Sequence, residues 1–154
     1  MTTATSTAAT TTTTEPGRPP KTLSVYATWE GDYRCTVKAR HHEIRIDEPL
    51  SAGGADSGPQ PTEVFLASLA SCYALAVAHV ARKRGIELAD VAVRAVGEYD
   101  GPKFVKVRVE VTSSHPRADL EPLLSRASAV CYVSNTLRAV DDVEVVLVDT
   151  TGDQ

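Results

Sequence analysis

Apolar and polar side chains alternate along five stretches of the chain: residues 23–29, 43–47, 91–95, 104–111 and 143–147. A period of two is typical of a β-strand with one buried face, so each stretch predicts a strand. Asp100, Gly101 and Pro102 separate the third stretch from the fourth and predict a hairpin. Residues 51–61 are rich in Gly, Pro, Ser and Asp and predict a loop.

A long helix is predicted to begin at Pro61 and to run to about Arg84. Proline is tolerated in the first turn of a helix, and Glu63 places an acid near its positive end. Three basic residues occupy the last turn, and Gly85 follows as the expected C-cap. Both ends of this helix therefore carry sequence signals.

The centre of this helix, residues 64–81, has no formal charge and approaches the length of a membrane span. Ser68, Ser71 and His79 interrupt the apolar run, and strand patterns lie on both sides of it. We therefore interpret it as the central, fully covered helix of a soluble domain, with no membrane partner.

A second helix is predicted after Pro116 and Asp119, because apolar residues recur there at a spacing of three and four. These residues are Leu120, Leu123, Leu124, Ala127 and Val130. A break is expected at residues 131–133, followed by a short helix over residues 134–140 with Ser134 as its N-cap. The order of elements indicates an α+β fold, without the strict alternation of a parallel sheet.

Length and composition predict one domain of residues 22–154. Residues 1–21 are rich in Thr and Pro and predict a disordered tail, neither a secretory signal nor an anchor. Lys and Arg number 16 against 20 Asp and Glu, and this net charge of −4 argues against a nucleic-acid partner. Three cysteines without a Cys-x-x-Cys pair suit a reducing cytoplasm better than a disulfide scaffold or a metal ribbon.

The three cysteines are the candidate chemistry. Cys72 lies in the long helix and Cys131 at the end of the second helix, where a thiol is more often a small core hydrophobe than a catalyst. Apolar surroundings disfavour the reactive thiolate. Cys35, at the edge of a strand, is interpreted as structural. The residues alone leave open whether Cys72 and Cys131 are packing residues or a redox pair.

Two motifs around these cysteines change that balance. The segment IDEPLSAGGADSGPQPTEVFLASLASC is followed about sixty residues later by CYVSNTL. Together, in this order, they resemble the OsmC/Ohr family of thiol-dependent hydroperoxide reductases, a resemblance that extends from about Trp29 to the C-terminus.

The resemblance implies an OsmC-like fold, with antiparallel sheets around a long buried helix, in an intertwined homodimer with its cysteine pair at the subunit interface. It implies that Cys72 is the peroxidatic cysteine, which is oxidised to a sulfenic acid, and that Cys131 resolves it as a disulfide. No cofactor or metal is implied, but an external dithiol, of lipoyl type or similar, must reduce the disulfide. The expected activity is that of a peroxiredoxin-like, antioxidant enzyme of the oxidative stress response.

In the family, an arginine near the N-terminal strands, held by a glutamate at the start of the central helix, stabilises the peroxidatic thiolate. Glu63 is the candidate glutamate, although many members carry it one position earlier, where this chain has Thr62. Glu63 is therefore equally well interpreted as a helix N-terminal charge. Arg34 and Arg45 are both candidates for the arginine.

Two further features bear on the function. Tyr132 stands where the family often has proline after the second cysteine, which removes a conformational restraint on resolution. His79 follows Cys72 by seven residues, near the same helix face, without the further ligands that a zinc site needs. The leading hypothesis is an organic hydroperoxide reductase. The alternatives are a stress-associated binding protein of the same fold with little or no peroxidase activity, and a purely structural dimerisation domain.

Overall fold

A computed structural model describes residues 21–140 and 143–147 of the chain. The predicted tail lies outside these residues, except for Lys21. The strands are β1 (Tyr26–Gly31), β2 (Arg34–Ala39), β3 (His42–Ile46), β4 (Ala92–Asp100) and β5 (Lys103–Thr112). The helices are α1 (Pro61–Lys83), α2 (Arg117–Val130) and α3 (Tyr132–Ala139), and a single 3₁₀ turn (Leu50–Ala52) precedes α1. This mixture of helices and antiparallel sheets confirms the predicted α+β class.

The first sheet is a three-stranded antiparallel meander in the order β1-β2-β3. β1 begins three residues later than predicted, and β2 was not predicted as a strand of its own. Its side chains, RCTVKA, give only a short alternation, which is why the pattern missed it. Trp29 on β1 remains 73% exposed, so the expected buried face of this strand is not covered within the single chain.

The predicted hairpin is confirmed as the antiparallel pair β4–β5, which packs against α1. Phe65 of α1 stacks on Phe104 of β5 with ring centroids 5.8 Å apart. Gly97 lies under this aromatic ring, and a Cβ atom there would overlap the Phe104 side chain. The position therefore requires glycine for close packing.

α1 follows its predicted bounds closely. Pro61 lies in the first turn, and Gln60 and Glu63 form a capping box. Ser68 and Ser71 donate to helix carbonyl oxygens at 2.7 and 2.8 Å, which satisfies their hydroxyls within an apolar helix. α1 is long and apolar enough to span a membrane by composition. One of its faces nevertheless packs against α2, α3 and β4, as in the core helix of a soluble domain.

Within the single chain α1 is covered only in part, and its full coverage, expected together with a homodimer, stays a prediction. Its buried side chains are Leu69, Tyr73, Ala76, Val77, Val80 and Ala81, which recur at a helical spacing on one side. Leu75, on another side, is 71% exposed. Two helices and one hairpin cover only part of the circumference of a 23-residue helix.

The loop before α1 is organised by the buried carboxylate of Asp47. This side chain accepts hydrogen bonds from the amides of Glu48, Ala55 and Ser57 and from the Ser57 hydroxyl, at 2.8–3.2 Å. The Asp47 amide donates to the Pro59 carbonyl oxygen. A residue predicted only as a strand end therefore connects β3 to the start of α1.

The C-terminal helices differ from the prediction in one respect. α2 has the predicted apolar face, but α3 begins at Tyr132, so Cys131 rather than Ser134 is its N-cap. The Asn135 amide donates to the Cys131 carbonyl oxygen at 3.1 Å, which places the N-cap three residues earlier than predicted. Residues 143–147, which were predicted to form a strand, are not assigned to one in the part of the chain that the structure describes.

Candidate active site

The site is built around two sulfur atoms that approach each other within one chain. Cys72 Sγ and Cys131 Sγ lie 3.4 Å apart, within hydrogen-bond distance for thiols. A disulfide requires about 2.05 Å between the sulfurs, so the two atoms need to move together by only about 1.4 Å. Both cysteines are free thiols in the structure.

Packing between α1 and α2 brings the two thiols together. Tyr73, adjacent to Cys72, is buried and donates its hydroxyl to the Leu124 carbonyl oxygen at 3.0 Å. The same hydroxyl lies 3.0 Å from Ser128 Oγ. Cys131 belongs to the same buried cluster as Tyr73 and Ala127, against which Cys72 packs. These contacts hold the middle of α1 against the end of α2.

The two thiols differ in exposure. Cys131 is completely buried, whereas Cys72 is half-buried. Cys72 lines an open groove of about 960 Å³, and Cys131 does not. A molecule in this groove therefore meets the Cys72 sulfur first.

The start of α3 determines the electrostatics at Cys131. Burial by itself raises the pKa of Cys131. Hydrogen bonding outweighs the effect of burial, so the pKa lies below its ordinary value; the partners are the Ser134 hydroxyl and amide, the Cys72 thiol and the Val133 amide. The neutral thiol accepts no capping hydrogen bond, so this stabilisation belongs to the thiolate. As the N-cap, Cys131 lies beside the unpaired amides of the first turn.

The groove lies between α1 and the α2–α3 segment. Its walls are mainly apolar or small side chains, among them Leu75, Val130, Tyr132 and Val140. His79 also lines it, on the same side of α1 as Cys72, which fits the predicted shared face. No cluster of three or more potential metal ligands occurs among the residues that the structure describes.

Glu63 occupies a capping position. Its carboxylate accepts the Gln60 amide at 3.0 Å, which completes the capping box, and its side chain is exposed. This hydrogen bond is the one expected if Glu63 acts as a charge at the N-terminus of the helix. Within residues 21–140 and 143–147, no arginine forms an ion pair with it.

The two candidate arginines lie on the first sheet. Arg34 pairs with Asp32 at 3.4 Å, and Arg45 faces Thr36 across the β2–β3 register. Both are exposed residues, and in the described part of the chain neither lines the groove beside Cys72. Cys35, predicted to be structural, is half-buried on the same sheet, opposite Ile46. The roles predicted for Arg34 and Arg45 stay predictions.

Sequence reasoning missed two residues that shape the site. Tyr73 was counted only as part of an apolar helix, although its position next to Cys72 offered a signal. Ser134 was predicted to cap α3, but it lies in the first turn of that helix, with its hydroxyl 3.2 Å from the Cys131 carbonyl oxygen. Ser134 follows Cys131 by three residues, and this spacing is the one at which a side chain can reach back to the N-cap residue of a helix.

The chain is similar to proteins of one known family. The family model described as OsmC-like protein matches residues 53–146, which include both cysteines of the pair. An organic hydroperoxide resistance protein from Xanthomonas axonopodis pv. citri is 29% identical over 132 residues. That alignment covers 82% of this chain and 93% of the relative.

Solved structures match the fold. An organic hydroperoxide resistance protein OsmC from Legionella pneumophila superposes with a TM-score of 0.60 at 24% identity, covering 79% of this chain and 93% of that one. An OsmC-like protein from Mycoplasma pneumoniae superposes with a TM-score of 0.65 at 19% identity, covering 78% and 89%. At such identities the similarity is one of fold.

Proposed function

The chain belongs to the OsmC-like protein family, and from that membership we propose that it is a thiol peroxidase that reduces organic hydroperoxides. The observation that carries the proposal is the 3.4 Å separation of Cys72 Sγ and Cys131 Sγ, with only Cys72 open to the groove. A pair that is merely structural has no need of a groove at one sulfur.

In the first step, the Cys72 thiolate attacks the outer oxygen of the hydroperoxide. The O–O bond breaks, the alkoxide leaves and takes a proton to become an alcohol, and Cys72 is oxidised to a sulfenic acid. The mostly apolar walls of the groove favour an organic hydroperoxide over hydrogen peroxide.

In the second step, the Cys131 thiolate attacks the sulfur of the Cys72 sulfenic acid. The S–O bond breaks, hydroxide leaves as water after protonation, and the disulfide forms. The lowered pKa of Cys131, maintained against burial by Ser134, Val133 and Cys72, suits this role because the thiolate is the attacking species. An external dithiol, of lipoyl type or similar, then reduces the disulfide and is itself oxidised.

The working unit in this proposal is a homodimer. Large apolar side chains of the first sheet stay exposed in the single chain, including Trp29 at 73% and Tyr26 at 72%. A second copy that covers this sheet removes that apolar surface from water. An arginine from the first sheet, Arg34 or Arg45, is then available to stabilise the Cys72 thiolate, with Glu63 as its partner.

Turnover of cumene hydroperoxide with an excess of dithiol tests the proposal. Cys72→Ser is expected to abolish turnover, whereas the matched change Cys35→Ser on the first sheet is expected to preserve it. Intact-mass measurement after one equivalent of peroxide should show a loss of two hydrogens in the wild type and in Cys35→Ser only. Turnover that survives in Cys72→Ser contradicts the proposal.

The same measurements evaluate the alternative of a stress-associated binding protein. Glu63 supports this alternative, because its carboxylate is engaged in the capping box and not paired with an arginine in the described single chain. That alternative predicts retention of both thiols after peroxide treatment, together with binding of an apolar ligand in the groove.

A further inference from the structure

Two features distinguish the sulfurs of the pair once they are joined. Cys72 lines the groove and Cys131 is completely buried, so a soluble thiol approaches the disulfide from the Cys72 side. Thiol–disulfide exchange requires the attacking sulfur to reach one sulfur directly while the other departs. Access alone therefore makes Cys72 the point of attack and Cys131 the leaving group.

The start of α3 favours the same direction. A departing sulfur carries negative charge, and exchange is faster when that charge is stabilised. Cys131 is the N-cap of α3, where the Val133 and Ser134 amides belong to the first turn and have no partner one turn earlier in the helix. The positive end of the helix dipole adds to this stabilisation.

Ser134 is the side chain best placed to respond to the departing charge. It is buried, with its hydroxyl 3.2 Å from the Cys131 carbonyl oxygen. That carbonyl oxygen already accepts the Asn135 amide at 3.1 Å, so it keeps a partner when the serine hydroxyl rotates away. Hydrogen bonding from the Ser134 hydroxyl is the main effect that lowers the pKa of Cys131 against its burial.

We propose that Ser134 is a positioning residue that makes Cys131 the leaving group when an external dithiol opens the Cys72–Cys131 disulfide. This inference rests on the proposed function only for the existence of that disulfide. A thiolate of the dithiol attacks Cys72 Sγ, the S–S bond breaks, and its electron pair remains on Cys131 Sγ. The second thiol then attacks the mixed disulfide, which releases the Cys72 thiolate and oxidises the dithiol, and the two protein thiolates take up protons as their equilibria require.

The site of attack is tested in the Cys35→Ser protein, which retains only the pair. The disulfide is formed with diamide, and excess 2-mercaptoethanol is added. Samples taken at graded times are acid-quenched, alkylated with iodoacetamide and digested for mass spectrometry. We expect mercaptoethanol on Cys72 and the alkyl group on Cys131. Mercaptoethanol mainly on Cys131, or no adduct on Cys72 at any time, overturns the inference.

The role of Ser134 is tested in the same background. Ser134→Ala should slow reduction by dithiothreitol about three- to ten-fold, as expected when a charge-assisted hydrogen bond to the departing thiolate is lost. Ser134→Thr, which retains the hydroxyl, should stay within about two-fold of the parent rate, given the same contact. Ser125→Ala, at an exposed serine of α2, is the control and should have no effect.

A spectroscopic measurement separates positioning from folding. Thiolate absorbance at 240 nm, followed against pH in the Cys35→Ser, Cys72→Ser protein, reports the pKa of Cys131 alone. Ser134→Ala should raise it, whereas a purely structural role leaves it unchanged and overturns the inference even if reduction slows.

Because the disulfide is made with diamide, these tests do not depend on peroxide chemistry. A protein that is reduced through Cys72 but turns over no peroxide contradicts the proposed function alone. A peroxidase that is reduced through Cys131 contradicts this inference alone. Failure of diamide to join the two cysteines contradicts both.

Discussion

Cys131 Sγ lies 3.4 Å from Cys72 Sγ, although the two cysteines are 59 positions apart in the sequence. One sulfur belongs to the middle of α1 and the other to the junction of α2 and α3. Because both come from the same chain, their disulfide requires no residue of a second copy. It requires only that α1 and the α2–α3 junction stay packed together.

Removal of the resolving thiol should trap the oxidised form of Cys72. In Cys131→Ser, peroxide treatment is expected to produce a sulfenic acid that persists, because no second thiol lies next to it to condense with. Labelling with dimedone and peptide mass spectrometry should locate the adduct on Cys72. Catalytic turnover with dithiol should fall steeply in this variant, while a single round of peroxide consumption survives.

The matched control for this experiment is Cys35→Ser, in which the pair is intact. It should form the disulfide and give no dimedone adduct on Cys72. A sulfenic acid that appears on Cys35 in the wild type would instead place the reactive thiol on the first sheet.

The Tyr73 hydroxyl should contribute to both stability and resolution. Tyr73→Phe removes the contacts to the Leu124 carbonyl oxygen and Ser128 Oγ, which should lower the free energy of unfolding by about 1–2 kcal/mol. Looser packing of α1 on α2 should also slow disulfide formation after peroxide addition. Urea unfolding and quenched-flow mass measurement check the two effects.

Tyr99→Phe is the control for Tyr73→Phe. Tyr99 is 57% exposed and packs its ring against Phe104 in a tilted arrangement, which this change retains. The free energy of unfolding of Tyr99→Phe should stay within about 0.5 kcal/mol of the wild-type value. An equal loss of stability in both variants would mean that the contacts of the Tyr73 hydroxyl are not what holds the helices together.

The sequence predicted the parts of the fold that depend on local chemistry. α1 was predicted with both ends nearly correct, because Pro61, Glu63 and Gly85 each have a position-specific reason to occur there. The β4–β5 hairpin was predicted from its alternating valines and the turn between them. The resemblance carried by Cys72 and Cys131 was sufficient to predict which two residues would meet.

Predictions that depended on long-range packing were less successful. The exposure of Leu75 follows from how many elements reach α1 within one chain, which periodicity does not specify. The β2 strand is stabilised by its neighbours on both sides and has little pattern of its own. Asp47 looked like the polar end of a strand, and its role became visible only once the loop returned to it.

The groove beside Cys72 should determine the size of the peroxide that is reduced. Ala139 lines the groove from α3 and is exposed, so Ala139→Phe places an aromatic ring in the space that a bulky hydroperoxide would occupy. We expect kcat/KM for cumene hydroperoxide to fall about ten-fold or more, an effect of the size that one misfit group has in an apolar pocket. Activity towards hydrogen peroxide should change little.

The control for the groove is Ala118→Phe, at an exposed alanine of α2 that does not line it. Both substitutions add the same ring to a helix surface. A loss of kcat/KM that occurs in both variants would therefore come from impaired folding and not from blocked access to Cys72. Equal effects of Ala139→Phe on large and small peroxides would mean that substrates reach Cys72 by another path.

The Asp47 carboxylate should make stability depend on acid. The Ser57 amide, which outweighs the opposing effect of burial, holds the pKa of Asp47 below its ordinary value, with help from the Ser57 hydroxyl and the amides of Ala55 and Glu48. A lowered pKa in the folded state contributes stability above the unfolded value of about 3.9. That contribution is lost as the pH falls through the lower folded value.

Asp47→Asn should therefore unfold at a lower temperature than the wild type at pH 7, because one carboxylate oxygen is replaced by an amide group that cannot accept hydrogen bonds. The difference in unfolding temperature between the two proteins should become smaller as the pH is lowered from about 4 to 2, because protonation of Asp47 removes the same interaction from the wild type. Asp56→Asn is the control: it lies in the same loop at a positive φ of 56°, which asparagine adopts readily. Thermal unfolding followed by circular dichroism across this pH range measures all three proteins. A gap between wild type and Asp47→Asn that stays constant down to pH 2 would assign the effect to side-chain shape and not to the charge.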